Sequence, residues 1–356
     1  FISKIYYGAH HRSKKINTDL DVYFTSYYGD EYLKDENDIK VSEGFYDQIL
    51  FKPEIKSTYS VNENDKITFG LGLKHESLKR TFFDVDPKQN SPFLYFQYDY
   101  YLSKKINLIL GGRYDHFKDY KSQFSPKFSG IYKINDDKSL KVSVGYGFKS
   151  PDFRQLYFNF SNSSVGYSVI GYNVYENVLN QLIEQGEISS IIIPADEFNE
   201  SLKPENSLSI NIGYNFSLND NIKFKTNLFN NLTKELIDTR VVAIKTNGQN
   251  VFSYYNINEV LTSGLEFETI YKFDNYLKFS FGYQLLYAFD LDALDAFNNG
   301  DVYARITVDS PAFRLKKSDY FGLFNRSRHM GVLKINYDNL ENNFSCNLRL
   351  RYRSKY

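Results

Sequence analysis

The sequence predicts an all-β fold, a transmembrane antiparallel up-and-down β-barrel, and three observations predict it. Apolar and polar residues alternate strictly in segment after segment, the connections alternate between short and long, and the composition is rich in aromatics yet polar on average.

The alternation is clearest where Leu208, Ile210, Ile212, Tyr214, Phe216 and Leu218 interleave with Ser209, Asn211, Gly213, Asn215 and Ser217. A period of two places one set on an oily face and the other on a polar face. Leu140 to Phe148, Leu277 to Tyr287 and Phe344 to Tyr352 repeat the pattern. By this criterion there are about fourteen strands. Many run to ten or more residues, whereas strands of soluble domains cluster near about 5–6. The polar face carries charge deep within strands, at Arg113, Asp115, Glu266, Glu268 and Arg349. Length and buried-position charge together argue against a soluble sandwich or propeller, which shares the alternation.

Short polar connections fall at 12–15, 62–66, 103–105, 135–138, 219–221, 274–275 and 338–342, each with the Asn, Asp, Ser or Lys that tight turns favour. Between them stand longer segments at 29–43, 81–91, 151–205, 241–250 and 290–328. Short turns at one end and long loops at the other are the signature of an outer-membrane barrel, with the long loops outside the cell. Within the longest loop, residues 176–183 have apolar side chains at helical spacing and predict one short helix. No domain boundary or low-complexity linker interrupts the chain.

The chain carries 43 basic and 43 acidic residues, so no net charge draws it to nucleic acid. Aromatics form 18% of it, 32 Tyr and 31 Phe without Trp, a choice suited to strands and membrane interfaces. The longest apolar run is Ile191 to Ile193, far below the roughly 20 residues of a spanning helix, whereas a barrel strand needs only one apolar face. Cys346 is the single cysteine, which excludes a disulfide framework and a cysteine-built zinc site. The chain opens at Phe1 without a leader and closes inside an alternating strand, which reads as a piece of a longer protein.

Four stretches resemble boxes of the TonB-dependent outer-membrane receptor family. Gly145-Tyr146-Gly147-Phe148-Lys149-Ser150-Pro151, continuing to Tyr157, looks like the family's Gly-Phe-Arg-Ala-Pro strand end, with Lys149 and Ser150 in place of Arg and Ala. Asn199-Glu200-Ser201-Leu202-Lys203-Pro204-Glu205 is similar to the Asn-Pro-x-Leu-Lys-Pro-Glu box, lacking its first Pro. Tyr255 to Asn258 with Ser263-Gly264-Leu265-Glu266 resembles the Asn-then-Gly-x-Glu strand, and Asn325 to His329 the Asn-Arg-Pro-x-His stretch. The resemblance covers essentially the whole chain. It implies a barrel of about 22 strands around a plugged lumen, in the outer membrane of a Gram-negative bacterium. By that measure residues 1–356 are part of the barrel domain, with the plug and the last strands absent. It also implies energy-coupled uptake of a scarce nutrient, a ferric siderophore or haem foremost. The implied partners are the inner-membrane coupling protein TonB, engaged through the plug, an extracellular metal chelate, and outer-membrane lipid. A passive pore or an adhesin-like binding barrel is the alternative that shares the alternation but needs no plug.

Physics gives the boxes mainly structural work. Pro151 and Pro204 cannot donate ladder hydrogen bonds, so they punctuate strand ends; Phe148, Asn199, Leu202, Glu205, Gly264 and Glu266 are taken with them as loop anchors. No phosphate loop, zinc helix or nucleophile elbow occurs, so an enzyme is not expected, nor a resident cofactor or metal. Haem relatives place a loop His between the first two boxes, and 151–205 holds none. Of the five His, His10 and His11 adjoin a short turn on the periplasmic side, while His75, His116 and His329 share parity with the oily face, so lumen ligation is not expected. Long loops carry recognition, Arg grips anions bidentately and Tyr offers a flat face with a polar tip, making Arg154, Tyr157, Tyr167, Tyr172 and Tyr175 the candidate ligand contacts. The competing reading of the tyrosines is that they pack the loop against itself. The acidic run Glu176, Glu184, Glu187, Asp196, Glu197 and Glu200 lacks calcium-loop spacing and reads as solvated surface.

Overall fold

A computed structural model describes residues 2–162, 166–257, 259–307, 310–323, 325–339 and 341–355. Asn258 of the third box and Tyr356 lie outside them. The first eight strands follow one another directly: β1 (Ile2–Arg12), β2 (Ile16–Lys34), β3 (Lys40–Ser60), β4 (Lys66–Arg80), β5 (Lys88–Ser103), β6 (Ile106–Asp115), β7 (Gln123–Lys133) and β8 (Lys138–Lys149). The long loop then holds β9 (Asn159–Asn162), β10 (Tyr167–Ile170) and β11 (Ile188–Ile191), with helices α1 (Phe153–Tyr157) and α2 (Tyr175–Glu184). After it come β12 (Glu205–Ser217), β13 (Ile222–Lys234), β14 (Leu236–Lys245), β15 (Asn250–Ile257), β16 (Val260–Lys272), β17 (Leu277–Asp290), α3 (Leu291–Asn299), β18 (Tyr303–Ala304), β19 (Phe313–Arg314), β20 (His329–Asn339) and β21 (Phe344–Arg353).

Fourteen of these strands form one antiparallel wall, in the order β1 to β8, β12, β13, β16, β17, β20, β21. Its register converts the alternation into two surfaces. Lys141, Gly213, Asn227, Glu266, Gln284, Met330 and Arg353 are successive cross-strand partners in one row of the inner face. Val142, Ile212, Leu228, Leu265 and Leu285 make the neighbouring outer row. A one-residue slip anywhere would drive lysines and glutamates into lipid, which fixes the register. No helix among the described residues is long and apolar enough to cross a membrane, and crossing by strands needs none.

Glycine marks close approaches in this wall. A Cβ on Gly264 would stand 2.2 Å from the Leu285 carbonyl oxygen and 2.6 Å from the Phe229 ring, which lies over the glycine from its cross-strand position. The Gly of the Gly-x-Glu box is therefore a seat for an aromatic ring. Gly70 does the same for Tyr95, whose hydroxyl donates to Glu54 at 2.8 Å.

Two expected loops are strands instead. Residues 29–43 belong to the β2–β3 hairpin, paired up to Lys34 and Lys40 with only a short turn at the tip. At about 3.4 Å per residue this ribbon is far longer than the roughly 10 residues a tilted strand needs to cross, so it rises well past the wall. Residues 241–250 likewise close the β14–β15 hairpin. The period-2 signal fades in both because no lipid face selects it outside the membrane.

The long loop is itself folded. β11, β14, β15, β10 and β9 form a second, five-stranded sheet, in which β10 runs parallel to β15 and so clamps the 150–204 loop to the β14–β15 hairpin. Ile170, Val174, Tyr175, Val178, Leu179, Val242, Ala243 and Val251 are its buried core. α2 covers the helix expected at 176–183 and ends at Gly186, whose positive φ lets Gly186 N donate to Ile183 O and Glu187 N to Leu182 O. The chain thus carries a compact module above its wall that composition alone did not mark.

Candidate functional site

The mouth of the wall, on the side of the long loops, is where charge, aromatics and the first box converge. Three wall strands carry a cation and an anion two residues apart, both facing inward. Lys52 reaches Glu54 at 2.9 Å, Lys74 reaches Glu76 at 2.7 Å, and Arg113 grips Asp115 through two bonds of 2.8 and 2.7 Å. These cations are matched in place. Arg80 is not: its nearest carboxylate is Glu31 at 3.9 Å, and its guanidinium lies 5.4–5.7 Å from the rings of Tyr46, Phe82 and Phe158. A guanidinium held by ring faces keeps its charge and its planar fork available.

Pro151 ends β8, and a capping box then turns the chain. Asp152 accepts from Gln155 N at 2.8 Å, while Gln155 Oε1 accepts from Asp152 N at 2.9 Å. This starts α1 and swings Arg154 over the mouth. Arg154 is exposed and, with Arg80, Tyr46, Lys74, Glu76 and Phe153, lines a cavity of about 330 Å³. Among the described residues Arg154 makes no ion pair.

The other predicted contacts do not meet there. Tyr175 is fully buried, donates its hydroxyl to the Ile193 carbonyl at 2.8 Å and lies 4.0 Å from the Phe198 ring. Tyr172 is buried between Phe198 and Tyr255. Burial pushes the Tyr172 phenol up to about 12 and raises that of Tyr175 as well. For both tyrosines this burial supports the competing reading, that they pack the loop against itself. Tyr157 and Tyr167 are half-buried, Tyr157 on α1 and Tyr167 beside Phe160 and Phe252.

The boxes act as joints. Leu202 is buried with Leu156, Tyr172, Ile237 and Tyr254, and Pro204 is fully buried. Glu205 accepts from Lys149 Nζ at 2.8 Å and from Ile237 N at 3.3 Å, tying two wall strands to the module. Phe148 packs edge-on against Phe117, and Asn199 is exposed behind a 3₁₀ turn. Glu266 accepts from Asn227 and Gln284 in the inner row. Asn256, whose role the sequence did not disclose, bonds both the N–H and the carbonyl of Lys203 and the carbonyl of Glu235, at 2.8, 2.9 and 2.9 Å. The second and third boxes are thus two halves of one joint. His10, expected away from the lumen, has inner-face parity, with Nδ1 2.8 Å from Asp19 and Arg12 beside it. The expectation missed that Arg12, His10 and Asp19 lie on one face.

An antiparallel wall with an oily exterior, a charged interior and folded outer loops defines an outer-membrane barrel of receptor type. The family model for the TonB dependent receptor-like β-barrel matches residues 4–356, and the chain belongs to that family. It lies in the outer membrane. The iron-regulated outer membrane virulence protein of Vibrio cholerae is 28% identical over 251 residues, covering 67% of this chain and 34% of that protein. The chain therefore spans about a third of the length of the curated relatives it matches. The FrpB iron transporter of Neisseria meningitidis superposes with a TM-score of 0.63 at 14% identity, over 99% of this chain and 50% of that one. The ferric enterobactin receptor PfeA of Pseudomonas aeruginosa gives 0.68 at 12%, over 98% and 48%. At such identity these structures share the fold alone.

Proposed function

We propose that the full receptor takes up an anionic metal chelate, a ferric siderophore in preference to haem, by energy-coupled transport, and that the chelate is first held at the mouth by Arg80 and Arg154. The observation that carries this reading is the pair of arginines lining one cavity, Arg154 without an ion pair among the described residues and Arg80 reaching only Glu31, at 3.9 Å, while Lys74 beside them is held by Glu76 at 2.7 Å. Two guanidiniums beside Tyr46 and Phe153 suit a ligand that is flat in parts and negatively charged. The names of the relatives, iron-regulated and iron-transporting, support the metal. The absence of His from 151–205 supports a chelate over haem. The rest of the receptor supplies the plug and, through it, the contact with TonB.

Uptake of radioactive iron as an anionic ferric chelate, by cells bearing the full-length receptor, tests this. Uptake should be saturable and stop when the inner-membrane proton gradient is collapsed. Uptake that persists unchanged without the gradient, together with steady ion conductance in a planar bilayer, would support a passive pore and overturn the proposal.

A further inference from the structure

We propose that a chamber beneath the mouth cavity is a second binding site, which takes one planar, oxygen-bearing aromatic ring of the chelate whose charge Arg80 and Arg154 hold above. It rests on the reading of the mouth as a chelate site. The chamber measures about 230 Å³ and shares Lys74, Glu76, Gln89 and Ser150 with the mouth cavity. It lies deeper along the wall, because Lys52 takes the place of Tyr46 and Gln48 on β3 and Phe93 enters from β5.

Three rings build it. A Cβ on Gly72 would stand 2.5 Å from the Phe93 ring, so that ring rests on the wall, buried, with the Arg113 guanidinium 4.0 Å from its centre. Phe117 comes from the β6–β7 connection, which folds inward where His116 N donates to the Pro92 carbonyl at 2.9 Å, and its ring meets that of Phe148 edge-on at 5.7 Å. Tyr120 of the same connection backs this side, buried, with its ring 4.6 Å from Phe117 and its hydroxyl accepting from Gln89.

The charges of the chamber are already matched, Lys74 with Glu76 and Arg113 with Asp115, so it offers ring faces and hydrogen bonds rather than net charge. Two donors are left over. Arg113 gives its Nε and one Nη to Asp115, and among the described residues its other Nη has no hydrogen-bond partner. Ser91 lines the chamber at 5% exposure, and among the described residues its hydroxyl has no partner either. A buried donor without a partner is a cost that a ligand oxygen removes. A cavity of roughly 150 Å³ walled by apolar side chains holds one benzene molecule, so this one has room for a single ring with its oxygens and none for a porphyrin. A planar arm also suits Arg113, since a guanidinium stacks on aromatic faces while its free N–H groups reach ring oxygens.

Equilibrium titration of the full-length receptor with two ferric chelates of equal negative charge tests this: a synthetic tripodal tris-catecholate, which carries rings, and the tris-oxalate, which carries none. The tris-catecholate should bind at least about tenfold more tightly. Ser91→Leu fills the chamber and should weaken the tris-catecholate by roughly tenfold or more while leaving the tris-oxalate within about twofold, whereas Arg80→Ala should weaken both. Should Ser91→Leu not assemble, Ser91→Ala still decides: one lost hydrogen bond should weaken the tris-catecholate roughly fivefold and leave the tris-oxalate unchanged. Equal affinity for the two chelates, or Ser91 variants that weaken both alike or neither, would overturn the chamber while the mouth site stands. Binding of neither chelate by the unsubstituted receptor would overturn both readings.

Discussion

Tyr175 separates packing from recognition most sharply. Its ring is enclosed with Phe198 and the α2 core, and its hydroxyl satisfies the Ile193 carbonyl at 2.8 Å. Tyr175→Phe leaves that carbonyl without its donor, at a cost of about 1–1.5 kcal/mol, so local opening of the module should become roughly tenfold more frequent. Tyr175→Ala also empties a ring-sized volume, at about 3–5 kcal/mol, enough to raise opening by more than about a hundredfold. Hydrogen exchange of the full-length receptor reads both directly. Exchange of residues 175–184 and 188–191 should accelerate in that order, while β12 and β13 keep their protection. Ligand affinity of Tyr175→Phe should stay within about twofold, since the hydroxyl points into protein. A hundredfold affinity loss in Tyr175→Phe with unchanged exchange would refute the packing account.

The same module should respond to alkali. Burial holds the Tyr172 phenol at about 12, against about 10 in an unfolded chain. Its folded pKa is raised, so its contribution is complete below pH 10 and lost as pH climbs from 10 to 12; protease cleavage within 150–204 should appear in that window while the wall stays intact. Gly264→Ala should lower the yield of heat-resistant folded barrel by at least the roughly 1–3 kcal/mol of an overpacked site, and Phe229→Ala should not rescue it, because the Leu285 carbonyl still blocks the methyl. Asn256→Ala removes three hydrogen bonds, about 3 kcal/mol at roughly 1 kcal/mol each, and should loosen the 203–205 joint in hydrogen exchange without unfolding the wall.

The wall was legible because lipid on one side and water on the other impose period two, so Leu208 to Leu218 and Leu277 to Tyr287 announce their faces unaided. The short turns were legible through their Asn and Asp residues, as where Asn219 Oδ1 accepts from the N–H groups of Asn221 and Ile222. The module was not, because β10 joins β15 across more than 80 residues of chain and no local pattern encodes that pairing. Of the proposed site, Arg154 was a candidate from the sequence, as an arginine of the long loop beside the first box. Arg80, which the proposal adds, could not be read from the sequence, since its setting is made by three rings from distant segments and a carboxylate 3.9 Å away.

The central claim, an anionic chelate held by two arginines at the mouth, rests most directly on equilibrium titration of the full-length receptor with matched anionic and neutral ferric chelates. The anionic chelate should bind with saturation and the neutral one more weakly. Arg80→Ala and Arg154→Ala should each weaken the anionic Kd by roughly 10–100-fold, the worth of a charge-assisted hydrogen bond, and barely alter the neutral one. Anionic affinity unchanged in both variants would contradict the account.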